Sequence, residues 1–420
     1  MGDRGGSRAA QGGSASRLGL VAAAAALSLA LVSALAGCTP SGTGTTGAQA
    51  AVGNAAGAAA LSKAAITFAP ASASTDVPVD QPVTVTAAGG RLTTVTMVDG
   101  KGHPVQGSLS TDKASWTSSG SLKLAQHYRL EAAAVDKAGV AVQQTAFFAT
   151  VAPRKILVTS ISPLGGQSVG VGMPIIVRFN AAVTDRAAVE RALTVDSSKP
   201  ITGAWSWVSN TEVHFRPQAF WPAYDDITLN VALKGVNAGH GVWGMKNRTV
   251  SYQTGSSMVS VVNVDRHTLT VYRNGTKARV IPVTTGKADF LTRDGTKVVL
   301  DKQVMKVMDA STIGISKSSP EYYKLDVPYA MRVTWSGEFV HAAPWSTGEQ
   351  GRANVSHGCV GMSMSNAIWL YNLTSVGDVV KVVGSPRHLE PGNGYTDWNV
   401  SWSDWISQSA LQGSAAPAPE

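Results

Sequence analysis

The sequence predicts a mainly β protein with two β-sandwich modules, then a third β-rich module with one short helix and a C-terminal extension. Residues 63–254 alternate β-branched with small or polar residues in short runs broken by turn residues, with at most one short helix near 187–192. An Asn-Gly pair at Asn274 separates two alternating runs, which is a strong hairpin signal. The run 365–372 has the pattern of a short helix, with Ser363 or Ser365 as its N-cap.

The N-terminal region is typical of an export signal. Arg4, Arg8 and Arg17 precede an uncharged Ala/Leu-rich run that ends in Leu-Ala-Gly-Cys at Cys38. This ending has the form of a bacterial lipobox, whose cysteine is lipidated and becomes the mature N-terminus. We therefore predict a lipoprotein signal peptide over residues 1–37. The alternative is an uncleaved transmembrane helix, because the apolar run is about the minimum length that spans a bilayer.

Composition narrows the classes of partner and points to one cysteine. The chain of 420 residues has a net charge of +8 and a pI near 9.4, which suits an anionic membrane, wall polymer or nucleic acid. Lys and Arg are scattered without a long run, so we expect no nucleic-acid partner. Lipidation of Cys38 would leave Cys359, the second of the two cysteines, without an intramolecular partner. A single free thiol in an exported protein favours a functional role for it.

The remaining boundaries follow from composition. Residues 38–62 are rich in Gly, Ala, Thr and Ser and are predicted to form a flexible tether. We expect sandwich modules at 63–151 and 152–254, a third module at 255–384 and an extension at 385–420 whose three tryptophans pack back onto the third module. The last residues, 413–420, have a disordered composition. Four histidines in the sandwiches show no metal-ligand spacing, so we predict no metal site: His103, His127, His214 and His240.

The stretch from His341 to Ser363 concentrates the candidate chemistry. It contains Cys359 in a Gly- and Ser-rich turn, with His357 two residues before it and His341 at the end of a predicted strand. A thiol is a weak nucleophile until a neighbouring base removes its proton, and a nearby imidazole can make it largely thiolate. A single buried cysteine is more often a small hydrophobic core residue. A position between glycine and a polar turn is unusual for a core cysteine and favours catalysis.

At this point the sequence resembles a known family. His341 and the run Ser356-His357-Gly358-Cys359 are similar to the signature of the L,D-transpeptidases, the cysteine enzymes that cross-link peptidoglycan. The flanking run Val-His-Ala-Ala-Pro-Trp-Ser at 340–346 is similar to the same family. The resemblance is close over roughly 255–410. More loosely it covers the whole chain as a lipoprotein with immunoglobulin-like (Ig-like) sandwiches before a β-barrel-like catalytic domain.

The resemblance implies a reaction. Cys359 attacks the amide carbonyl at the L-centre of meso-diaminopimelate in a tetrapeptide stem, D-Ala leaves, and a thioester remains. The side-chain amine of a second diaminopimelate then forms a 3→3 cross-link, without any cofactor. The implied partners are peptidoglycan stem peptides, carbapenems as inhibitors and the membrane through a lipid. The implied location is the cell envelope, on the outer face of the cytoplasmic membrane, with the catalytic domain in the periplasm or wall.

The resemblance also assigns roles around the thiol. His341 would be general base and later general acid, with its other ring nitrogen oriented by the backbone carbonyl of Ala342. Backbone N–H groups of His357, Gly358 and Cys359 would form the oxyanion hole. His357 either shapes the thiol pocket or is a structural histidine bonded to the backbone. Gly358 would allow close approach to the substrate, and we expect Ser356 to hydrogen-bond within the turn.

Substrate contacts are predicted from family positions and from charge. The loop 309–330 sits where the family has a lid, and its tyrosines either line a groove or simply pack. In the family Asn commonly follows the cysteine by two residues, whereas this chain has Gly361, so the acceptor site departs from the pattern. The candidate substrate-binding residues are Met308, Tyr322, Tyr323, Tyr329, Trp345, Arg352 and Gly361.

Two other classes of function compete with this interpretation. Sortase-like enzymes need an arginine shortly after the cysteine, but the next one here is Arg387. Papain-type proteases place the cysteine before the histidine, the reverse of His341 and Cys359. A non-catalytic wall-binding lipoprotein is the remaining alternative, and Gly361 is the only feature in its favour.

Overall fold

The structure is a computed structural model that describes residues 61–411. The predicted signal peptide, the lipidation of Cys38, nearly all of the tether and residues 412–420 lie outside the described residues. Within 61–411, no helix has the length and apolar character needed to cross a bilayer.

The first sandwich consists of a four-stranded sheet, ordered β1-β2-β5-β4, and a three-stranded sheet, ordered β3-β6-β7. Inward residues alternate with outward ones, as on β6, so Leu130, Ala132 and Ala134 enter the core with Leu92 and Met97. Its strands are β1 (Ala65–Ala69), β2 (Thr84–Ala88), β3 (Gly90–Asp99), β4 (Gly107–Leu109), β5 (Ser115–Ser118), β6 (His127–Asp136) and β7 (Ala141–Ala149).

The second sandwich has sheets ordered β10-β17-β15-β12 and β13-β14-β11-β9, and β8 pairs with β16. Its core contains aromatic pairs such as Trp205 with Phe215, whose ring centroids lie 5.3 Å apart. Its elements are β8 (Lys155–Leu157), β9 (Thr159–Ser162), β10 (Ser168–Val169), β11 (Ile175–Phe179), α1 (Arg186–Arg191), β12 (Leu193–Ser197), β13 (Gly203–Ser209), β14 (Glu212–Pro217), β15 (Asp226–Val231), β16 (Val242–Gly244) and β17 (Arg248–Thr254).

The third module has a five-stranded sheet, ordered β20-β19-β18-β26-β21, and a four-stranded sheet, ordered β22-β23-β24-β25. One hydrophobic core draws on both sheets and on helix α2. The elements are β18 (Met258–Asn263), β19 (Thr268–Arg273), β20 (Thr276–Pro282), β21 (Gly295–Val298), β22 (Asp301–Asp309), β23 (Lys324–Arg332), β24 (Phe339–Ala342), β25 (Val360–Met362), α2 (Met364–Leu373) and β26 (Val379–Val383).

The local signals in this module are confirmed. Asn274 and Gly275 both have positive φ, 49° and 80°, as the tight hairpin between β19 and β20 requires. Helix α2 begins where predicted, and Ser363 is its N-cap because its side chain accepts a hydrogen bond from the Asn366 N–H.

The predicted loop 309–330 is wrong at its C-terminal end, where β23 begins at Lys324. Pro328 argued against a strand because proline cannot donate to a sheet. The sheet accommodates it: Pro328 lies opposite Met305, and Tyr329 beside it has a positive φ of 51°. Pairing between β22 and β23 skips Val304 at this point and then resumes. The irregular segment is therefore 310–323.

The C-terminal extension bonds the third module through the side chain of Asn399 and the backbone of Thr296, but its tryptophans pack on the second sandwich, which corrects the prediction that they cover the third module. The extension contains helix α3 (Trp402–Ser407). The Trp398 indole N–H donates to the Gly172 carbonyl at 2.7 Å, and the Trp405 indole N–H donates to the Ala204 carbonyl at 2.9 Å. The Arg216 guanidinium lies 4.7–5.3 Å from the rings of Trp398, Trp402 and Trp405. Cation–π attraction to an arginine of β14 is the feature that draws the tryptophans there.

A buried histidine also joins the extension to the second sandwich. The His214 imidazole contacts Asp397 at 2.6 Å through Nδ1 and Glu212 at 2.7 Å through Nε2. Burial alone would lower the His214 pKa, but hydrogen bonds to the two carboxylates outweigh it and raise that pKa to about 9. The imidazole is therefore a cation between two anions at neutral pH.

The cores of neighbouring modules share residues. Trp243 of the second sandwich belongs to the core of the first, and Val379 of β26 belongs to the core of the second. Between the second sandwich and the third module, Gly170 and Gly172 donate backbone N–H groups to the carbonyls of Val376 and Gly377. The described residues fall within a single compact unit.

Candidate active site

Strands β24 and β25 place the candidate catalytic residues side by side. They pair in parallel, so that His341 lies opposite Gly361 and Cys359 immediately precedes β25. His341 and Cys359 line one cavity of about 200 Å3. A larger groove, about 590 Å3, lies at the β12 and β13 edge of the second sandwich, but its lining contains neither cysteine nor histidine.

His341 is fixed in one tautomer by its neighbour. Its Nδ1 lies 2.7 Å from the Ala342 carbonyl oxygen, which can only accept, so Nδ1 carries the proton. Nε2 is then unprotonated and can act as a base. Burial lowers the His341 pKa to about 4, which the bond to Ala342 opposes only in part. The Trp345 ring stacks over the imidazole at 6.0 Å between centroids.

Cys359 is buried and is the free cysteine of the described residues. Its Sγ lies 3.7 Å from the Gly337 carbonyl oxygen. Burial raises the Cys359 pKa to about 12. Burial disfavours the charged form of both groups, so this arrangement does not favour the largely ionised thiol that a neighbouring imidazole can produce. The resting pair is a neutral thiol and a neutral imidazole.

The turn before Cys359 is held by its own hydrogen bonds. The Ser356 hydroxyl donates to the Cys359 carbonyl at 2.6 Å and accepts from the Gly358 N–H at 3.1 Å. Gly358 needs to be glycine because its φ is +113°. Since the Gly358 N–H is engaged by Ser356, the predicted three-donor oxyanion hole loses one member. The N–H groups of His357 and Cys359 are the remaining candidates.

His357 is bonded to a side chain and not to the backbone. Its Nε2 lies 2.7 Å from a Glu321 carboxylate oxygen, and its ring packs between Phe290 and Tyr323 at centroid distances of 4.6 and 5.0 Å. The His357 side chain forms part of the cavity wall. Because its Nε2 is engaged by Glu321, His341 is the better placed base.

Asn354 holds the segment that leads into the turn. Its side-chain oxygen accepts from the Thr285 hydroxyl at 2.7 Å and contacts the His267 ring at 2.9 Å, and its amide donates to the Val264 carbonyl. The Thr284 hydroxyl accepts from the Val355 N–H. These contacts tie the segment between β24 and β25 to the ends of β18 and β20. Sequence reasoning missed Asn354, which lies in the stretch 341–363 and shows no distinguishing pattern there.

The substrate-binding predictions divide into two groups. Met308, Tyr323, Trp345 and Gly361 line the cavity with Cys359. The remaining three candidates do not line it: Tyr322, Tyr329 and Arg352. The Tyr329 ring packs edge-on against Tyr371 at 5.4 Å, beside the hydrophobic core, and Arg352 is exposed on the segment after β24.

Gly361 lines the cavity, but neighbouring residues crowd the position that a side chain on it would take. A Cβ added to it would lie 2.8 Å from the Ala343 Cβ, 3.1 Å from Thr284 Cγ2 and 4.0 Å from His341 Cε1. Its backbone bonds Thr284 in both directions. Ala343 and Thr284 therefore crowd the position that the Cβ of an asparagine at residue 361 would take.

A buried ionic cluster lies beneath the turn and was missed from the sequence. Glu338 accepts from Lys297 Nζ at 2.5 Å and from Arg293 Nη1 at 3.0 Å, and its carboxylate lies close to Gly358. Lys297 is 1% exposed although it lies on β21. A lysine beside valines in a strand resembles an outward residue, so no local signal distinguishes it. Burial lowers the Lys297 pKa, and Glu338 opposes that effect.

Two immunoglobulin-like sandwiches precede a β-rich module whose cavity pairs a buried thiol with an imidazole base, an arrangement suited to acyl transfer. The chain belongs to the L,D-transpeptidase family. The profile of the L,D-transpeptidase catalytic domain matches residues 257–382, and that of the bacterial Ig domain matches residues 74–237.

Relatives in Mycobacterium tuberculosis match most of the chain. L,D-transpeptidase 2 is 38% identical over 80% of this chain and 82% of the relative. L,D-transpeptidase 5 is 33% identical over 84% of this chain and 78% of the relative. A solved structure of an L,D-transpeptidase in complex with imipenem is 38% identical and covers 55% of this chain and 100% of that one, with a TM-score of 0.48.

Proposed function

We propose that this protein forms 3→3 cross-links in peptidoglycan through a thioester on Cys359. The observation that carries the proposal is that Cys359 and His341 line one cavity while the Ala342 carbonyl fixes the tautomer of His341 that can accept a proton. The family membership of the chain supports the same reaction.

In the first half-reaction the Cys359 sulfur bonds to the carbonyl carbon at the L-centre of a donor diaminopimelate, and its proton passes to His341 Nε2. The C–N bond to D-Ala breaks, and the imidazolium returns the proton to the leaving amine. Because the resting thiol and imidazole are both neutral, proton transfer accompanies attack. One backbone donor to the developing oxyanion is typically worth about 2.7–4 kcal/mol.

In the second half-reaction the side-chain amine of an acceptor diaminopimelate attacks the thioester. His341 takes a proton from that amine and returns it to the departing sulfur. The energy of the original amide is retained in the thioester, so the exchange needs no nucleotide. Met308, Tyr323, Trp345 and Gly361 are the cavity-lining residues that we assign to the substrates.

The direct test is the intact mass of the purified protein after incubation with a carbapenem. A single adduct on the native protein and none on Cys359→Ala is the expected result, because a carbapenem acylates an activated thiol and cannot acylate alanine. A folded native protein without an adduct would contradict the proposal and favour a wall-binding role.

We also propose that the protein is attached to the outer face of the cytoplasmic membrane by a lipid on Cys38, with the catalytic domain in the periplasm or wall. The lipobox-like sequence supports this location. The mass of the mature N-terminal peptide, beside a Cys38→Ala variant, tests it. An unmodified cysteine in the native protein would refute it.

A further inference from the structure

The segment Ala310–Tyr323, called the lid here, connects β22 to β23 at the mouth of the cavity. It begins with a 3-10 turn at Ala310–Ile313 and ends at Tyr323, which lines the cavity. Near its start, Ile313 lies against Gly337, whose carbonyl contacts the Cys359 sulfur. Near its end lies Glu321. The lid therefore touches the thiol's surroundings at both ends.

Glu321 is bound by two basic side chains outside the lid. One of its carboxylate oxygens lies 2.6 Å from Lys287 Nζ and 2.7 Å from His357 Nε2. Hydrogen bonds to Lys287 and then to His357 lower the Glu321 pKa, so the carboxylate stays ionised at neutral pH. The three side chains are 37%, 33% and 20% exposed, so solvent and salt reach the contact.

One partner of Glu321, His357, lies in the catalytic turn, and the other, Lys287, is hydrogen-bonded to that turn. His357 lies two residues before Cys359 and packs against Phe290 and Tyr323. Lys287 donates its backbone N–H to the Ser356 carbonyl and places its ammonium 5.5 Å from the centre of the Phe290 ring. One carboxylate thus holds the lid, the wall of the cavity and the turn of the nucleophile together.

The closed cavity is too small for the substrates of the proposed reaction. Its volume is about 200 Å3, whereas pockets for ligands of drug size are about 300–1,000 Å3. Two stem peptides must both reach Cys359, so the lid has to move before either half-reaction. An exposed ionic contact is easily broken, while the apolar contact at Ile313 is not sensitive to salt.

We propose that Glu321 is an ionic latch: its contact with Lys287 and His357 holds the lid closed over Cys359, and its release admits the peptides. Glu321 is a positioning residue, because it acts through the lid and His357 and touches no reacting atom. The role of the latch in admitting stem peptides rests on the proposed function. Whether the contact holds the lid closed can be tested without catalytic turnover.

The test compares two thiol reagents of different size on the full-length protein, with Cys38→Ala in every sample so that Cys359 is the one cysteine of the chain. Iodoacetamide is small and neutral, whereas the neutral aromatic disulfide 4,4′-dithiodipyridine is bulkier and needs an open mouth. In Glu321→Gln we expect the ratio of the dithiodipyridine rate to the iodoacetamide rate to rise about twofold to fivefold. Asp326→Asn is the matched control, an exposed carboxylate on neighbouring β23, and its ratio should equal that of the native protein.

Salt supplies a second measurement, made on the native protein with Glu321→Gln as its control. Raising NaCl from about 0.05 to about 0.5 M should increase the rate ratio of the native protein and leave that of Glu321→Gln unchanged, because salt screens only the ionic contact. Lys287→Gln should raise the ratio as Glu321→Gln does. A ratio that responds neither to salt nor to these variants overturns the latch, even if carbapenem still acylates Cys359.

Discussion

The neutral ground state of the thiol and imidazole has a consequence for pH. With a pKa of about 4, His341 is unprotonated from about pH 5 upward. We expect the rate of Cys359 acylation by a carbapenem to be flat from about pH 5 to 8 and to fall below that range. The measurement is the acylation rate against pH, with the folded fraction followed by circular dichroism. A midpoint near 6.5 would instead show an imidazole with an ordinary pKa.

Gly361 gives a second prediction for a single residue. Restoring the family's residue with Gly361→Asn should slow acylation and lower the melting temperature, since its Cβ would lie 2.8 Å from that of Ala343. Overpacking of this kind costs about 1–3 kcal/mol.

The matched variants are Ala343→Gly alone and the double variant Gly361→Asn with Ala343→Gly. The double variant should recover part of the lost stability, because it removes the colliding methyl group. Equal melting temperatures for the native protein and Gly361→Asn would show that β25 shifts at no cost.

The sequence located Cys359, His341, Trp345 and Gly361 because they lie in one local signature, whereas Met308 and Tyr323 were found through the resemblance to family positions and the lid. It did not locate Glu321, Glu338 or Lys297. Their partners are far apart in the chain: Lys297 meets Glu338 across two sheets, and Glu321 meets His357 from the lid. Such pairs are set by tertiary packing and leave no pattern along the sequence.

The attachment of the C-terminal extension depends on the charge of His214. Its pKa is about 9 in the folded protein and about 6.5 in an unfolded chain. The charged form therefore stabilises folding fully below about pH 6.5, and this contribution, up to about 3 kcal/mol, is lost as the pH rises through about 9.

The variant His214→Gln lacks that titration. The difference in unfolding free energy between the native protein and His214→Gln, measured with urea, should shrink from pH 6 to pH 10. A difference that does not change with pH would contradict the proposed charge on His214.

Secondary structure could be predicted where a signal lies within the element. The hairpin at Asn274 and the N-cap at Ser363 are such cases. The strand that contains Pro328 was missed because the local interruption of pairing at Val304 and Tyr329, where the sheet tolerates proline without a change of register, is set by tertiary packing. The destination of the tryptophans in the extension was also wrong, because the ring of contacts around Arg216 joins residues far apart in the chain.

At the scale of the whole molecule, the junction at Gly170 should control cooperativity. A Cβ there would lie 2.0 Å from the Asp378 backbone nitrogen and 2.2 Å from the Gly377 carbonyl carbon. We expect Gly170→Val to separate the third module from the second sandwich and to replace one unfolding transition by two in calorimetry. Gly165→Ala is the control, since its nearest neighbour is 3.8 Å away. A single unchanged transition in Gly170→Val would argue against the coupling.

The insertion of Trp243 into the core of the first sandwich has a geometric consequence. With that core shared at one junction and Val379 shared at the next, Cys359 is held at a set height above residue 61. The two sandwiches therefore set the distance between residue 61 and Cys359. If the chain is anchored at a surface through the predicted flexible tether of residues 38–62, the sandwiches add a fixed length to a variable one, and removing one sandwich would bring the zone that Cys359 reaches nearer to that surface.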